Sequence, residues 1–243
     1  MKSYIADLHI HSCLSPCAEL DMTPRRIINS ALGKGLHIIA IADHNSAENT
    51  EVAVRTAQEL GITVLPAMEL TSQEEVHVLA IFDSTENTAS VQEIVYNKLQ
   101  DGYNDERNIG YQLVVNEVDE ILAFNNKLLI GATSLPLGEL VQSIHDFGGL
   151  AIASHIDRGN FSVISQLGFI PPDAAFDALE ISYNMEWRDA AVQFSNYAAI
   201  PWITSSDAHN LTDIGRRTTK FLINEPSFDE IARAFKGERE IHW

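Results

Sequence analysis

Six of the nine histidines stand in five short clusters, most with an oxygen donor close by. They are His9 and His11 in Ala-Asp-Leu-His-Ile-His, His44 in Ala-Asp-His-Asn, His77 in Glu-Val-His-Val, His155 in Ala-Ser-His-Ile-Asp and His209 in Ser-Asp-Ala-His. His9 and His11 are two apart, so on an extended strand both imidazoles share a face and can reach one cation. Asp207 and His209 repeat that spacing. Glu69 ends Leu-Pro-Ala-Met-Glu, and a carboxylate there can bridge two metals because its two oxygens can bind different ions. His77 interrupts an apolar run, which buries it and suits a ligand better than a surface role. Asp7 is predicted to orient a ring of the first motif from behind. Imidazole with carboxylate suits Zn²⁺, Mn²⁺ and Fe²⁺ alike. The pattern is that of a multinuclear, metal-dependent hydrolase. His37, His145 and His242 lack such a motif and are read as structural or surface residues, and an oxygen-rich site does not require the soft donors Cys13 and Cys17.

Such a site needs elements that bring distant residues to one place. Each cluster lies at or just past an apolar run that reads as a buried strand, and strand ends converge on one face of an α/β barrel. Strands are predicted over Tyr4–Ile10, Leu36–Ala42, Ile62–Leu65, Val76–Phe82, Leu150–Ser154, Ala178–Ser182 and Ile200–Ser205. Between them Thr23-Pro24 opens a helix that Gly33 and Gly35 stop, and further helices are expected over Ala47–Leu60, Leu137–Phe147 and Met185–Tyr197. Ser227-Phe-Asp-Glu reads as a capping box opening a last helix to Phe235. Repeated βα units imply a parallel sheet closed, or nearly so, into a barrel. Residues 83–135 break the rhythm and are expected to form an insertion or lid, with a helix over Val91–Leu99 and extended runs near Gln112–Val115, Glu120–Phe124 and Leu128–Ile130 within a single domain of 1–243.

The 243 residues suffice for one large α/β domain, and 45% hydrophobic content suffices for its core. A formal charge of −18 repels polyphosphate backbones, so strong non-specific nucleic-acid binding is not expected. A small anionic substrate is still admitted, because bound dications reverse the field within a pocket. No apolar segment approaches a membrane span, and the chain begins without a leader-like segment. Two cysteines form no disulfide framework, so a cytoplasmic setting is expected, without membrane association.

Asp-Leu-His-Ile-His-Ser, Ala-Asp-His-Asn, the pair Glu69 and His77, His155 and Ser-Asp-Ala-His together resemble the PHP (polymerase and histidinol phosphatase) superfamily, in the same order from His9 to His209. The resemblance implies a distorted (β/α)7 barrel with two to three divalent ions (Zn, Mn or Fe) at its strand ends. It would place the first metal on His9, His11, Glu69 and Asp207. The second would share Glu69 and add His77 and His155. The third would take His44, His209 and a residue of the loop after the first motif. That loop is longer here than the family's Ser-Asp-Gly. Counting back from Thr23-Pro24 selects Glu19, with Asp21 as the alternative. Relatives with His-Pro-x-Arg align with His155-Ile156-Asp157-Arg158, making Arg158 a phosphate clamp, or else a surface arginine paired with Asp157. Arg216 is a second candidate.

The expected activity is hydrolysis of a small phosphorylated substrate, a nucleotide or nucleoside bisphosphate, by hydroxide bridging two metals. Asp207 is the candidate general acid/base, with His209 or His44 stabilising the leaving oxygen. Alternatives are 5′–3′ exonuclease action on short oligonucleotides, histidinol phosphate hydrolysis, or a non-catalytic metal-binding regulatory module.

Overall fold

The computed structural model describes residues 1–58 and 60–243. The strands are β1 (Lys2–Ile10), β2 (Ile38–Ile41), β3 (Thr63–Thr71), β4 (His77–Ile81), β5 (Leu113–Val115), β6 (Ile121–Phe124), β7 (Leu150–Ala153), β8 (Ala178–Ile181), β9 (Trp202–Thr204), β10 (Thr219–Ile223) and β11 (Glu240–His242). The helices are α1 (Pro24–Gly33), α2 (Thr50–Ala57), α3 (Thr85–Tyr96), α4 (Leu137–Asp146), α5 (Val163–Leu167), α6 (Trp187–Gln193) and α7 (Phe228–Phe235). Nine strands form one sheet in the order β11-β10-β1-β2-β3-β4-β7-β8-β9. It curls into a nearly closed barrel: a bridge between Ile10 and Ala208 brings the end of β1 to the segment following β9. No described helix is long and apolar enough to cross a membrane.

The local signals read at α1 hold. Thr23 accepts a hydrogen bond from the Arg26 amide, Pro24 begins the helix, and Ile27, Ile28 and Ala31 are its buried stripe. α2 is shorter than predicted; its expected position at residue 59 lies outside the described residues. No residue of the run Leu128–Ile130 is strand, and Leu129 and Ile130 form a turn, so the second sheet is the single hairpin β5–β6.

The sheet is not uniformly parallel. β4 runs antiparallel to both β3 and β7. The two strands β3 and β4 are joined by only a short turn, too short for the crossover that parallel pairing requires. This reversal matters for His77. It begins β4 rather than following a strand, and the opposite direction of β4 puts it at the same end of the barrel as Glu69.

A second irregularity aims the first motif. On β1, Asp7 pairs with Ile39 but Ile10 pairs with Ile41, so β1 carries one extra residue there. Before this bulge Ala6 and Leu8 join the inner apolar cluster with Ile38 and Ala40. After it Ile10 joins the outer cluster with Ile39 and Ile41, which turns His9 and His11 inward. The other strands follow plain alternation. Leu65 and Ala67 precede Glu69, Ala178 precedes Glu180, and Leu79 and Ile81 follow His77. The barrel interior is thus apolar at one end and polar at the other.

The predicted capping box at Ser227 forms only in half. Ser227 accepts from the Glu230 amide, but the Glu230 carboxylate turns away to the Asn224 amide (2.8 Å) and the Arg239 guanidinium (2.8 and 2.9 Å). These partners, Arg239 first, lower its pKa from 4.5 to about 2. Because the folded value is the lower one, the network stabilises fully above the unfolded pKa and is lost as pH falls from 4.5 towards 2. Urea unfolding midpoints for Glu230→Gln should therefore vary less with pH across this window than those of the parent chain.

Candidate metal centre

Glu69 is buried at the polar end of the barrel, with its oxygens 3.0–3.5 Å from ring nitrogens of His9, His11, His44, His77 and His155. Asp207 faces the same space, its Oδ1 lying 3.2 Å from His11, 3.6 Å from His9 and 3.7 Å from His209. Nε2 of His9 and Nε2 of His11 are 3.2 Å apart. Asn45, His155 and Asp207 adopt left-handed backbone conformations, with φ of 49°, 31° and 48°. Such conformations cost energy in residues other than glycine and collect at functional sites. At His155 and Asp207 they turn the side chain just as the strand ends.

The rings are held in tautomers suited to cations. Ser15 gives its one hydroxyl proton to Asp43 (2.6 Å), so His11 Nδ1 must donate to Ser15 Oγ (3.0 Å) and its Nε2 lone pair faces the centre. His9 Nδ1 donates to Glu180 at 3.0 Å, and His209 Nδ1 donates to the Asp207 carbonyl at 2.9 Å. Each again leaves Nε2 for a ligand, so the rear hydrogen bond selects the metal-facing nitrogen. Burial, then the neighbouring His209, lowers His11 to about 4, and burial with His11 nearby lowers His44 well below the ordinary range. Both rings are therefore neutral at pH 7. Burial opposes charge on Glu69 and Asp207, yet the surrounding imidazoles hold both carboxyls well below the ordinary carboxylate range, so both are ionised. His9 is the exception: burial opposes its charge, but Glu180, Glu69 and Asp207 together raise its pKa well above normal, so a cation binding at its Nε2 would displace a proton.

Nδ1 of His44 and Nδ1 of His155 are buried without a hydrogen-bond partner. His44 Nδ1 is 3.2 Å from Glu69 Oε2 but does not meet it in hydrogen-bonding geometry. An unpartnered buried imidazole nitrogen beside the ionised Glu69, as at His44, fits a divalent cation. Among the described residues three sets have mutually close donor atoms: His9, His11 and Glu69; His44, Glu69 and His77; and His11, His44 and His209. Glu19 belongs to none of them; it is exposed, and its amide donates to the His209 carbonyl. Asp21 pairs instead with Arg26 at 3.3 Å. Arg158 pairs with Asp207 rather than with Asp157, whose oxygens take the amide and hydroxyl of Ser182. Asp7 does not orient a ring. Its oxygens accept the Ser206 and Gly215 amides, which anchors the loop carrying Asp207.

The PHP domain model matches residues 7–165, more than half of the chain, and spans the first five histidines of the cluster. The chain belongs to the PHP family. A PHP-associated model matches residues 186–239, which include the Asp207 and His209 loop. PHP proteins are metal-dependent hydrolases, and the buried donors are the chemical equipment for such an enzyme. An uncharacterized Bacillus subtilis protein, YqxK, is 33% identical over 104 residues, covering 41% of this chain. A 5′–3′ exoribonuclease of Haemophilus influenzae is 28% identical over 83 residues, covering 32% of this chain. The matched segments span 27% and 29% of those proteins' own lengths. Among solved structures, a lesion-specific endonuclease Q from Pyrococcus furiosus superposes with a TM-score of 0.79 at 22% identity, over 99% of this PHP chain and 58% of its own. A metal-dependent phosphoesterase, so described, from Bifidobacterium adolescentis has a TM-score of 0.61 at 17% identity, over 96% of both chains. At these identities the likeness is one of fold.

Sequence reasoning missed Glu180. Both of its oxygens lie near His9 Nδ1 (3.0 and 3.2 Å), and one also accepts the His155 amide at 3.0 Å. The available signal was a carboxylate inside the apolar strand Ala-Leu-Glu-Ile. Glu180→Gln keeps the shape but removes the charge behind His9, and should weaken metal affinity roughly 10–100-fold. Competition against a fluorescent chelator measures this; unchanged affinity would refute the role.

Proposed function

We propose that this PHP protein hydrolyses a small phosphate ester, a nucleotide or nucleoside bisphosphate, using two to three divalent ions. The observation that carries the reading is the convergence of Glu69 with five imidazoles beside an arginine, Arg158, in contact with Asp207. His9, His11, Glu69 and Asp207 would hold one ion, with His44, His77, His155 and His209 completing the set, and Zn²⁺, Mn²⁺ and Fe²⁺ all suit these donors. Bound ions would neutralise phosphoryl charge and acidify water. The chain's own residues do the rest. Arg158 is partly exposed and can exchange Asp207 for two phosphate oxygens, which its planar fork matches. Asp207, ionised, accepts the proton of the attacking water. His209, with its side chain 31% exposed, lies on the solvent side and serves the leaving oxygen. The charge of −18 favours a small substrate over a long polyanion.

The test is phosphate release by protein reconstituted with Mn²⁺ or Zn²⁺ from nucleotides, nucleoside 3′,5′-bisphosphates, sugar phosphates and histidinol phosphate. Release confined to one class supports the reading and names the substrate. Release from none, with metal bound, overturns it.

One observation favours a second reading, 5′–3′ exonuclease action on short oligonucleotides. Along β6, Ile121, Leu122 and Phe124 are exposed, and Phe124 packs edge-on against exposed Tyr111. The neighbouring Gly110 lies so close to Pro16 that a Cβ would be 2.1 Å from the Pro16 carbonyl oxygen. This sets the aromatic pair beside the loop that supports His11, where successive bases could stack. A length-dependent product ladder would support that reading.

A further inference from the structure

The loop between β7 and α5 carries three groups that face the centre. The His155 ring meets Glu69 at 3.2 Å, Arg158 contacts Asp207, and the Phe161 ring lies nearly parallel to His77, with centroids 4.7 Å apart and planes at 17°. The loop is held rigidly. The Arg158 amide donates to the His155 carbonyl (2.9 Å), Asp157 receives the Ser182 amide and hydroxyl, and the Ser162 hydroxyl donates to the Arg158 carbonyl (2.7 Å). Ser162 and Ser165 form a reciprocal cap at the start of α5. The His77 amide donates to the Phe161 carbonyl at 2.9 Å, tying the loop to β4.

Phe161 is the anomaly in this loop. Its φ is +58°, a conformation that a bulky side chain rarely adopts. Strain of this kind is ordinarily offset by burial, but Phe161 is 41% exposed. One face of its ring covers His77, and the remainder is open to solvent beside the centre. Tyr183, which also lies close to Arg158, differs: the Arg216 guanidinium sits 3.2 Å from its ring centroid and covers it. Phe161 therefore offers an open aromatic surface three residues from the phosphate-binding candidate Arg158, on a loop that fixes both.

We propose that Phe161 is the surface on which the base of the substrate stacks, so that this loop reads phosphate with Arg158 and a planar ring with Phe161. The inference rests on the phosphoesterase reading above and adds which part of the substrate is recognised, and by what. Base stacking on an aromatic ring is tolerant of base identity and contributes on the order of tenfold or more in affinity per base. The expected consequence is a preference for nucleotides over base-free sugar phosphates with little choice among bases.

Calorimetric binding to the metal-reconstituted protein tests this without requiring turnover. Adenosine 5′-phosphate should bind about tenfold tighter than ribose 5-phosphate. Phe161→Leu should erase that difference while leaving ribose 5-phosphate affinity and metal content unchanged, and Phe161→Trp should retain it. Equal affinities in the parent protein, or a difference that survives in Phe161→Leu, would overturn the proposal. Should the leucine variant lose metal, Phe161→Trp decides: ring stacking requires the difference to persist there. Histidinol phosphate serves as a third ligand, and binding it in preference to the nucleotide would reassign the stacked ring to an imidazole and overturn the base assignment. Phosphate release from the panel above is scored separately, so a failed hydrolysis reading and a failed base-recognition reading give different results.

Discussion

Glu69→Ala should abolish metal retention and lower hydrolysis by roughly three orders of magnitude or more, the consequence of losing several kcal/mol of charge stabilisation. Among the described residues no other side chain touches so much of the centre. Its two oxygens approach five imidazoles, and each set of donors that contains a carboxylate contains Glu69. Removing it leaves buried rings facing one another without the anion that makes a dication welcome. Glu69→Gln isolates the charge, since the amide keeps the volume but cannot bridge two ions. Metal content after dialysis and kcat/KM are the two measurements. Near-normal values for both would show that the imidazoles and Asp207 suffice and would remove Glu69 from the proposed centre.

Asp207→Asn should lower kcat by about 10²–10⁴, the range for loss of a general acid or base, while most of the metal stays bound. The substitution suits the position. Asp207 has φ of +48°, and asparagine tolerates that conformation about as readily as aspartate, so the loop keeps its path. The Ser206 and Gly215 amides remain anchored by Asp7. What changes is the charge that accepts a proton and pairs with Arg158. Stoichiometric metal with full activity would exclude Asp207 as the proton acceptor. Loss of metal together with activity would make it a ligand first.

The residue types of the centre were legible because their chemistry is local. Histidines two apart on a strand, or a carboxylate just past an apolar run, carry their meaning wherever the chain goes. The same holds for the Thr23-Pro24 helix start and for the βα rhythm of the barrel. Glu180 was not legible, because an acidic residue in an apolar strand is a ligand's support only if a ring from a strand not adjacent in the sheet arrives beside it. Phe161 gave no sign, since its backbone strain and its stacking on His77 exist only once β4 and the β7–α5 loop are packed together.

From the sequence alone the chain read as an α/β barrel of the PHP type with candidate metal donors, since donor identity and strand periodicity are properties of short segments. Only the tertiary structure decided which way those donors point. The extra residue on β1 is defined by its pairing with β2, and it turns His9 and His11 inward. The reversed β4 is defined by its neighbours β3 and β7, and it brings His77 to Glu69. Pairing direction and register are set by hydrogen bonds between segments distant in the chain, and a shift of one residue moves every side chain to the opposite face.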